Sequence, residues 1–310
     1  MEIAVISNND FGIESALQKF GHSTKRYFCS RVKHIHEDVN RGYSPDAVFL
    51  MDNGKIPAFD WKKEKFNNAA LVLFTRESSE IKDRDVRHAL SSDITLTQNL
   101  HWVNFLAIKK ANVFRFPYWV DQNIYFPAGE EKETKYIDSI SKKGLNGDEF
   151  IPSVAYTHTN EANDRKYDCI CSIEKEQDFR KVEDILSKHD INIINTANFT
   201  SGFLSDSKIL LNFISHKTIP KIFFEAAACK TLILSVPLDE DSKIEGVFEE
   251  EREILYFSNP KDCIRRCILY SKSKESRDFV TEKAHLLISR YHDVEKRIKK
   301  LIKEIKITKK

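Results

Sequence analysis

Two segments hold the side chains best suited to chemistry on a charged, hydroxyl-bearing ligand. Residues 216–234, HKTIPKIFFEAAACKTLIL, run from a basic, proline-bearing loop into a short amphipathic helix and then an apolar strand. Lys221 at the helix start puts positive charge where backbone amides lack intrahelical partners, a setting that suits a diphosphate. Glu225, one turn further on, is spaced to accept hydrogen bonds from ribose hydroxyls. The same pair also suits an ordinary helix start, with a solvated lysine and a carboxylate favourable to the helix dipole. The second segment, Ser7-Asn8-Asn9-Asp10-Phe11-Gly12, is a polar turn leading into a helix. It reads either as amides approaching an anion or as a plain N-cap over Asn8 to Asp10. It is not a GxGxxG, no GK[ST] P-loop occurs, and the chain has only 9 glycines. Classical dinucleotide dehydrogenases and P-loop kinases are therefore disfavoured.

The elements that must position these residues follow from hydrophobic patterning. Short β-branched runs recur at 2–7, 24–28, 46–51, 70–75, 93–97 and 112–116, most of them apolar on both faces as buried parallel strands require. A helix is expected over 10–20, stopped by Gly21. Residues 128–166 are polar and aperiodic and read as a linker or excursion. Alternation resumes with strands at 167–173, 190–195, 207–213, 231–236 and 252–257, and helices at 177–189 and 218–229. Strand and helix in alternation on both sides of a polar break argue for α/β architecture in two units. At about 150 residues per domain, 310 residues accommodate two. In such sheets ligands bind at the carboxyl ends of the strands, and two facing domains form a cleft.

Composition narrows the class. Hydrophobic residues at 41% and charged residues at 31% describe a globular chain. Lys+Arg at 49 against Asp+Glu at 47 gives +2, so no global field draws the protein to nucleic acid. No apolar run approaches a membrane span and the first residues lack signal-peptide features, so a cytoplasmic location is expected. Cys169 and Cys171 alternate in a strand, Cys263 and Cys267 lie one helical turn apart, and no CxxC occurs; buried thiols are expected rather than a metal site. His34 and His36 have no partner at zinc-site spacing. Beyond 258 the chain reads as helix. Its last segment sets Ile298, Leu301, Ile302 and Ile305 on one face, with eight Lys or Arg against one Glu from 296 to 310. That pattern suits a packed surface helix or an interfacial helix drawn to an anionic surface.

Three segments in order resemble GT-B fold glycosyltransferases, in particular the CgeB-like (spore-maturation type) group and glycosyltransferase family 4. PKIFFEAAACKTLIL (220–234) is similar to "P-R/K-x-F-E-A-x-A-C-G-x-x-L-L-T". FPYWVDQNIYFP (116–127) resembles the motif that closes the first domain, and YDCICSIEKEQDFRKVEDIL (167–186) resembles the opening of the second. The resemblance implies two Rossmann-like domains facing across a cleft. Residues 1–127 would form the acceptor side, completed by a helix over about 285–310 that crosses back, and residues 128–284 the nucleotide-sugar side, with 128–166 as linker. It implies a donor of the UDP-sugar type and an acceptor hydroxyl on a glycan, a protein or a modified DNA base. No metal and no further cofactor are implied. By the same resemblance Glu225 binds the ribose, Lys221 and Arg180 face the diphosphate with Lys217 nearby, and Ser172 lies in the loop after the second domain's first strand. Asn8 and Gly12 belong to the acceptor-side loop. Asp10 and His101, near strand ends of the first domain, are the candidate bases for an inverting reaction. Tyr118 and Trp119 suit either stacking on a sugar or core packing. The sequence departs from the motif at three points: the cation stands four rather than three residues before Glu225, Lys230 replaces a glycine, and Lys217 replaces a glutamate. The alternative is a degenerate GT-B module that binds nucleotide or a partner without turnover. A sugar epimerase of similar architecture is a further reading.

Overall fold

A computed structural model describes residues 1–7, 12–29, 33–51, 69–75, 82–122, 124–127, 165–173, 176–196 and 199–308. The first sheet comprises β1 (Glu2–Ile6), β2 (Ser23–Tyr27), β3 (Ala47–Met51), β4 (Ala70–Phe74), β5 (Ile94–Thr97) and β6 (Val113–Arg115). All pairings are parallel and the order is β2-β1-β3-β4-β5-β6. The second sheet comprises β7 (Tyr167–Cys171), β8 (Ile193–Asn195), β9 (Ser207–Asn212), β10 (Leu232–Ser235) and β11 (Leu255–Tyr256). It is also parallel, in the order β11-β10-β9-β7-β8. Counted from its own first strand, each sheet reverses direction at the same place, between β1 and β3 in one and between β7 and β9 in the other. The central strands β3 and β4 are buried at every position, as helices on both faces demand.

Helices α1 (Ile13–Lys19), α2 (Lys33–Asn40), α3 (Asp83–Ser91) and α4 (Leu100–Ile108) belong to the first half. Helices α5 (Glu176–Ser187), α6 (Ser201–Ser205), α7 (Lys221–Ala228), α8 (Pro260–Lys272) and α9 (Lys274–Leu287) follow. A π-helical turn, Ile288–His292, then leads to α10 (Val294–Thr308). The aliphatic stripe of α10 is buried with Ile13 and Leu17 of α1 and the strands of the first sheet. At about 1.5–3 kcal/mol per buried aliphatic side chain, peeling off Ile298, Leu301, Ile302 and Ile305 costs on the order of 6 kcal/mol or more. The stripe is thus occupied by the first domain, as expected of a packed surface helix. Among the described residues no helix is long and apolar enough to cross a membrane.

All six cysteines are free and buried. Cys169, Cys171, Cys263 and Cys267 share one apolar cluster, and burial pushes the Cys171 thiol up to about 12. They are packing thiols, inert at neutral pH. A second tie between the halves runs from Arg115 at the end of β6, whose Nη2 donates to the Ser242 and Lys243 carbonyls at 3.0 Å each.

Candidate functional site

Ligands of open parallel sheets sit outside the carboxyl ends of the strands where the order reverses. In the second sheet that point lies between β7 and β9. Ser172 follows β7 directly and is exposed, and the loop 213–220 follows β9 with Lys217 exposed. Cys171 and Leu211 are register partners, so both loops leave the sheet at the same end. The loop runs into α7, whose N-cap is Pro220 in extended conformation and whose first residue is Lys221. Proline suits the junction because its fixed φ breaks no bond at a helix start. Arg180 is exposed on α5, the helix that follows β7.

Glu225 is buried on α7, at 5% exposure. Its Oε1 lies 2.7 Å from Lys221 Nζ, one turn back. At that distance the ammonium is itself a charge-assisted donor to the carboxylate. The Tyr125 hydroxyl bonds the Glu225 carboxylate, and burial together with this carboxylate pushes the Tyr125 phenol well above its ordinary range. A carboxylate has about four acceptor sites, so the pair with Lys221 leaves room for a ligand hydroxyl.

Behind Glu225, α7 ends as its sequence requires. Lys230 adopts φ +54, its N–H bonds the Ala227 carbonyl at 3.2 Å, and Thr231 N–H bonds the Ala226 carbonyl at 2.8 Å. This is a Schellman stop with lysine at the position glycine usually occupies. The replacement of glycine by Lys230 therefore leaves the helix-to-strand exit intact. Its ammonium pairs with Glu282 of α9 at 2.8 Å.

In the first sheet the reversal lies between β1 and β3, and the turn after β1 ends at Gly12. Asn8 and Asp10 lie outside the described residues. Gly12 has φ +73, and a Cβ built there meets Asp121 Oδ2 at 2.6 Å. Asp121 is buried at the junction of the two halves, four residues before Tyr125. Asp121 and Tyr125 thus stand between the turn after β1 and Glu225, a placement not assigned to either from sequence. Both lie in FPYWVDQNIYFP, but the partners lie more than 90 residues away on each side.

His101 is exposed in the first turn of α4, its N–H donating to Asn99 Oδ1 at 2.9 Å. Trp119 packs edge-on against Phe74 and Phe116, and Tyr118 against Phe224. Both aromatics are core residues of the junction. Among the described residues no group of three or more His, Cys, Asp or Glu side chains is arranged to hold a metal ion.

Residues 183–303 match the model of a family described as Glycosyl transferase-like. No curated protein matches the chain in sequence. Solved structures share the fold across its length. A glycosyltransferase from Rickettsia africae superposes with TM-score 0.60 at 11% identity, covering 99% of this chain and 98% of that one. Anabaena HepE in complex with UDP and glucose gives 0.55 at 8%, covering 99% of each chain. A candidate UDP-N-acetylglucosamine 2-epimerase from Listeria monocytogenes gives 0.61 at 11%, covering 98% and 95%. The two parallel sheets give the chain the fold of these structures, and residues 183–303 carry the similarity to the Glycosyl transferase-like family.

Proposed function

We propose that the protein transfers a sugar from a nucleoside-diphosphate sugar, a UDP-sugar in preference, to an acceptor hydroxyl on a glycan, a protein or a modified DNA base. One observation carries this reading: the buried carboxylate of Glu225, paired with Lys221 at 2.7 Å, one turn inside a helix that starts at the reversal point of the second sheet. Ribose hydroxyls donate to that carboxylate. Lys221 then exchanges its contact with Glu225 for the diphosphate, joined by Arg180 and Lys217, with Ser172 in the adjoining loop. These cations and the α7 amides stabilise the charge that develops on the leaving diphosphate, and no metal or further cofactor enters the proposal.

Residues 1–127 with the helix over about 285–310 form the acceptor side of this proposal, and residues 128–284 the donor side. Asn8 and Gly12 lie in the acceptor loop, and Asp10 and His101 are the candidate bases. The CgeB-like subtype and a cytoplasmic location belong to the same reading. HepE, solved with UDP and glucose, supports the choice of a uridine donor.

Release of UDP from a panel of UDP-sugars, in the wild type and in Glu225→Gln, tests the proposal. Turnover by the wild type, reduced at least tenfold in the variant, is expected. Lys217, where the motif it resembles has a glutamate, favours a second reading: a module that binds nucleotide without turnover. UDP binding with no release from any sugar nucleotide would select it, and interconversion of sugar nucleotides without an acceptor would indicate an epimerase.

A further inference from the structure

Helix α10 turns its apolar stripe onto the first domain, which leaves its outer arc to Lys296, Lys299, Lys300, Lys303 and Lys306, all exposed. At 3.6 residues per turn these five fall within about 120° of the circumference. The acidic residues of α10 lie off that arc. Glu295 pairs with Lys19 at 2.7 Å, and Glu304 stands at its edge. Helix α9 and the turn after it present a second outward stripe, Phe279, Lys283, Leu286 and Arg290, opposite the buried Val280, Thr281, Ala284 and Ile288. Phe279 is 59% exposed, Leu286 47% and Tyr291 63%, and Lys283 Nζ sits 3.6 Å from the Phe279 ring centroid. The Lys296 ammonium bonds the Ser289 carbonyl, so the lysine arc begins where the α9 stripe ends.

We propose that this edge of the molecule docks on an anionic lipid bilayer, with the lysines over the headgroups and Phe279 and Leu286 at the headgroup–acyl boundary. Helix α10 stays packed on the first domain throughout. Cations alone suit any polyanion, but a duplex nucleic acid neutralises the lysines and leaves Phe279 and Leu286 in water. A bilayer with anionic headgroups accommodates both kinds of side chain. The overall charge of +2 is no obstacle, because attraction within a Debye length is decided by the local face.

The test is co-sedimentation of the full chain with vesicles of phosphatidylcholine containing one quarter phosphatidylglycerol, against vesicles of phosphatidylcholine alone. Each lysine near such a surface multiplies the partition coefficient by roughly fivefold. The variant Lys299→Glu/Lys300→Glu/Lys303→Glu is therefore expected to bind about 100-fold more weakly or worse. The variant Phe279→Ser/Leu286→Ser is expected to lose the part of the binding that survives high salt. All five positions are solvent-facing, and circular dichroism checks that the variants fold. Failure of the wild type to bind the anionic vesicles overturns the proposal, as does undiminished binding by the triple variant. Equally tight binding to a duplex oligonucleotide, indifferent to Phe279 and Leu286, overturns it in favour of a general polyanion surface. None of these outcomes depends on the donor-site assignment.

Discussion

Trp119 and Val120 are neighbours in the chain and lie in different hydrophobic cores, Trp119 in that of the first sheet and Val120 in that of the second. The return crossing is equally abrupt, with Ile288 in the second core and Val294 in the first. Val120 N–H donates to the His292 carbonyl and Val294 N–H to the Val120 carbonyl, both at 2.9 Å, so the two crossings are stitched together.

His292 sits inside this junction and gives it a pH dependence. Burial first, and then the Arg297 charge, push its imidazole down to about 3. The ordinary value in an unfolded chain is about 6.5. As pH falls the unfolded chain takes up the proton first, so the contribution of His292 is fully present above about pH 6.5 and declines towards pH 3, by about 1.4 kcal/mol per unit at most. Urea denaturation at a series of pH values should show His292→Gln losing that one-proton slope relative to the wild type. Parallel acid limbs in the two proteins contradict the assignment.

Gly12→Ala is expected to destabilise by about 2 kcal/mol or more. The left-handed backbone costs about 1–2 kcal/mol for a residue with a Cβ, and the contact with Asp121 adds to it. Adding Asp121→Ala relieves the steric part, so the double variant should show a coupling of roughly 0.5–3 kcal/mol by chemical denaturation. Additive effects argue against the contact.

Lys230→Gly should stabilise by about 1 kcal/mol, because glycine adopts the same backbone without strain. Loss of the pair with the half-exposed Glu282 offsets a few tenths of a kcal/mol. Lys230→Val, β-branched at the same φ, should destabilise. Denaturation midpoints check both, and a loss of stability in Lys230→Gly contradicts the geometric reading.

Tyr125→Phe removes the hydroxyl that bonds Glu225 and should cost about 1–3 kcal/mol. In a Glu225→Ala background the same change should cost much less. A double-mutant cycle by denaturation measures the difference, and equal costs in both backgrounds contradict the bond.

Much of the fold was legible in the sequence. Runs such as AVFLM and ILLN mark buried strands by themselves, and the Ile298 to Ile305 stripe shows that α10 packs on something. Strand order was not legible, since β1 pairs with β2 and β3 through contacts the local pattern does not specify. Strand ends were less so: β11 keeps two residues of the six expected over 252–257 because only Leu255 and Tyr256 find register partners on β10. At the site, Lys221 and Glu225 were readable because their spacing is local. Asp121 and Tyr125 were not, because their partners Gly12 and Glu225 are distant in sequence. The left-handed Lys230 was hidden for a different reason: its side chain breaks the motif while its backbone obeys it.

The central claim is that Glu225 receives a nucleotide ribose. Thermal unfolding with UDP and a panel of UDP-sugars tests it most directly, since a ligand confined to the folded state adds about 2.7 kcal/mol at 100 times its dissociation constant. The expected result is a rise of several degrees in the wild type with UDP, abolished in Glu225→Ala when each protein is compared with its own ligand-free midpoint. An unmoved wild type, or an equal rise in the variant, contradicts the assignment.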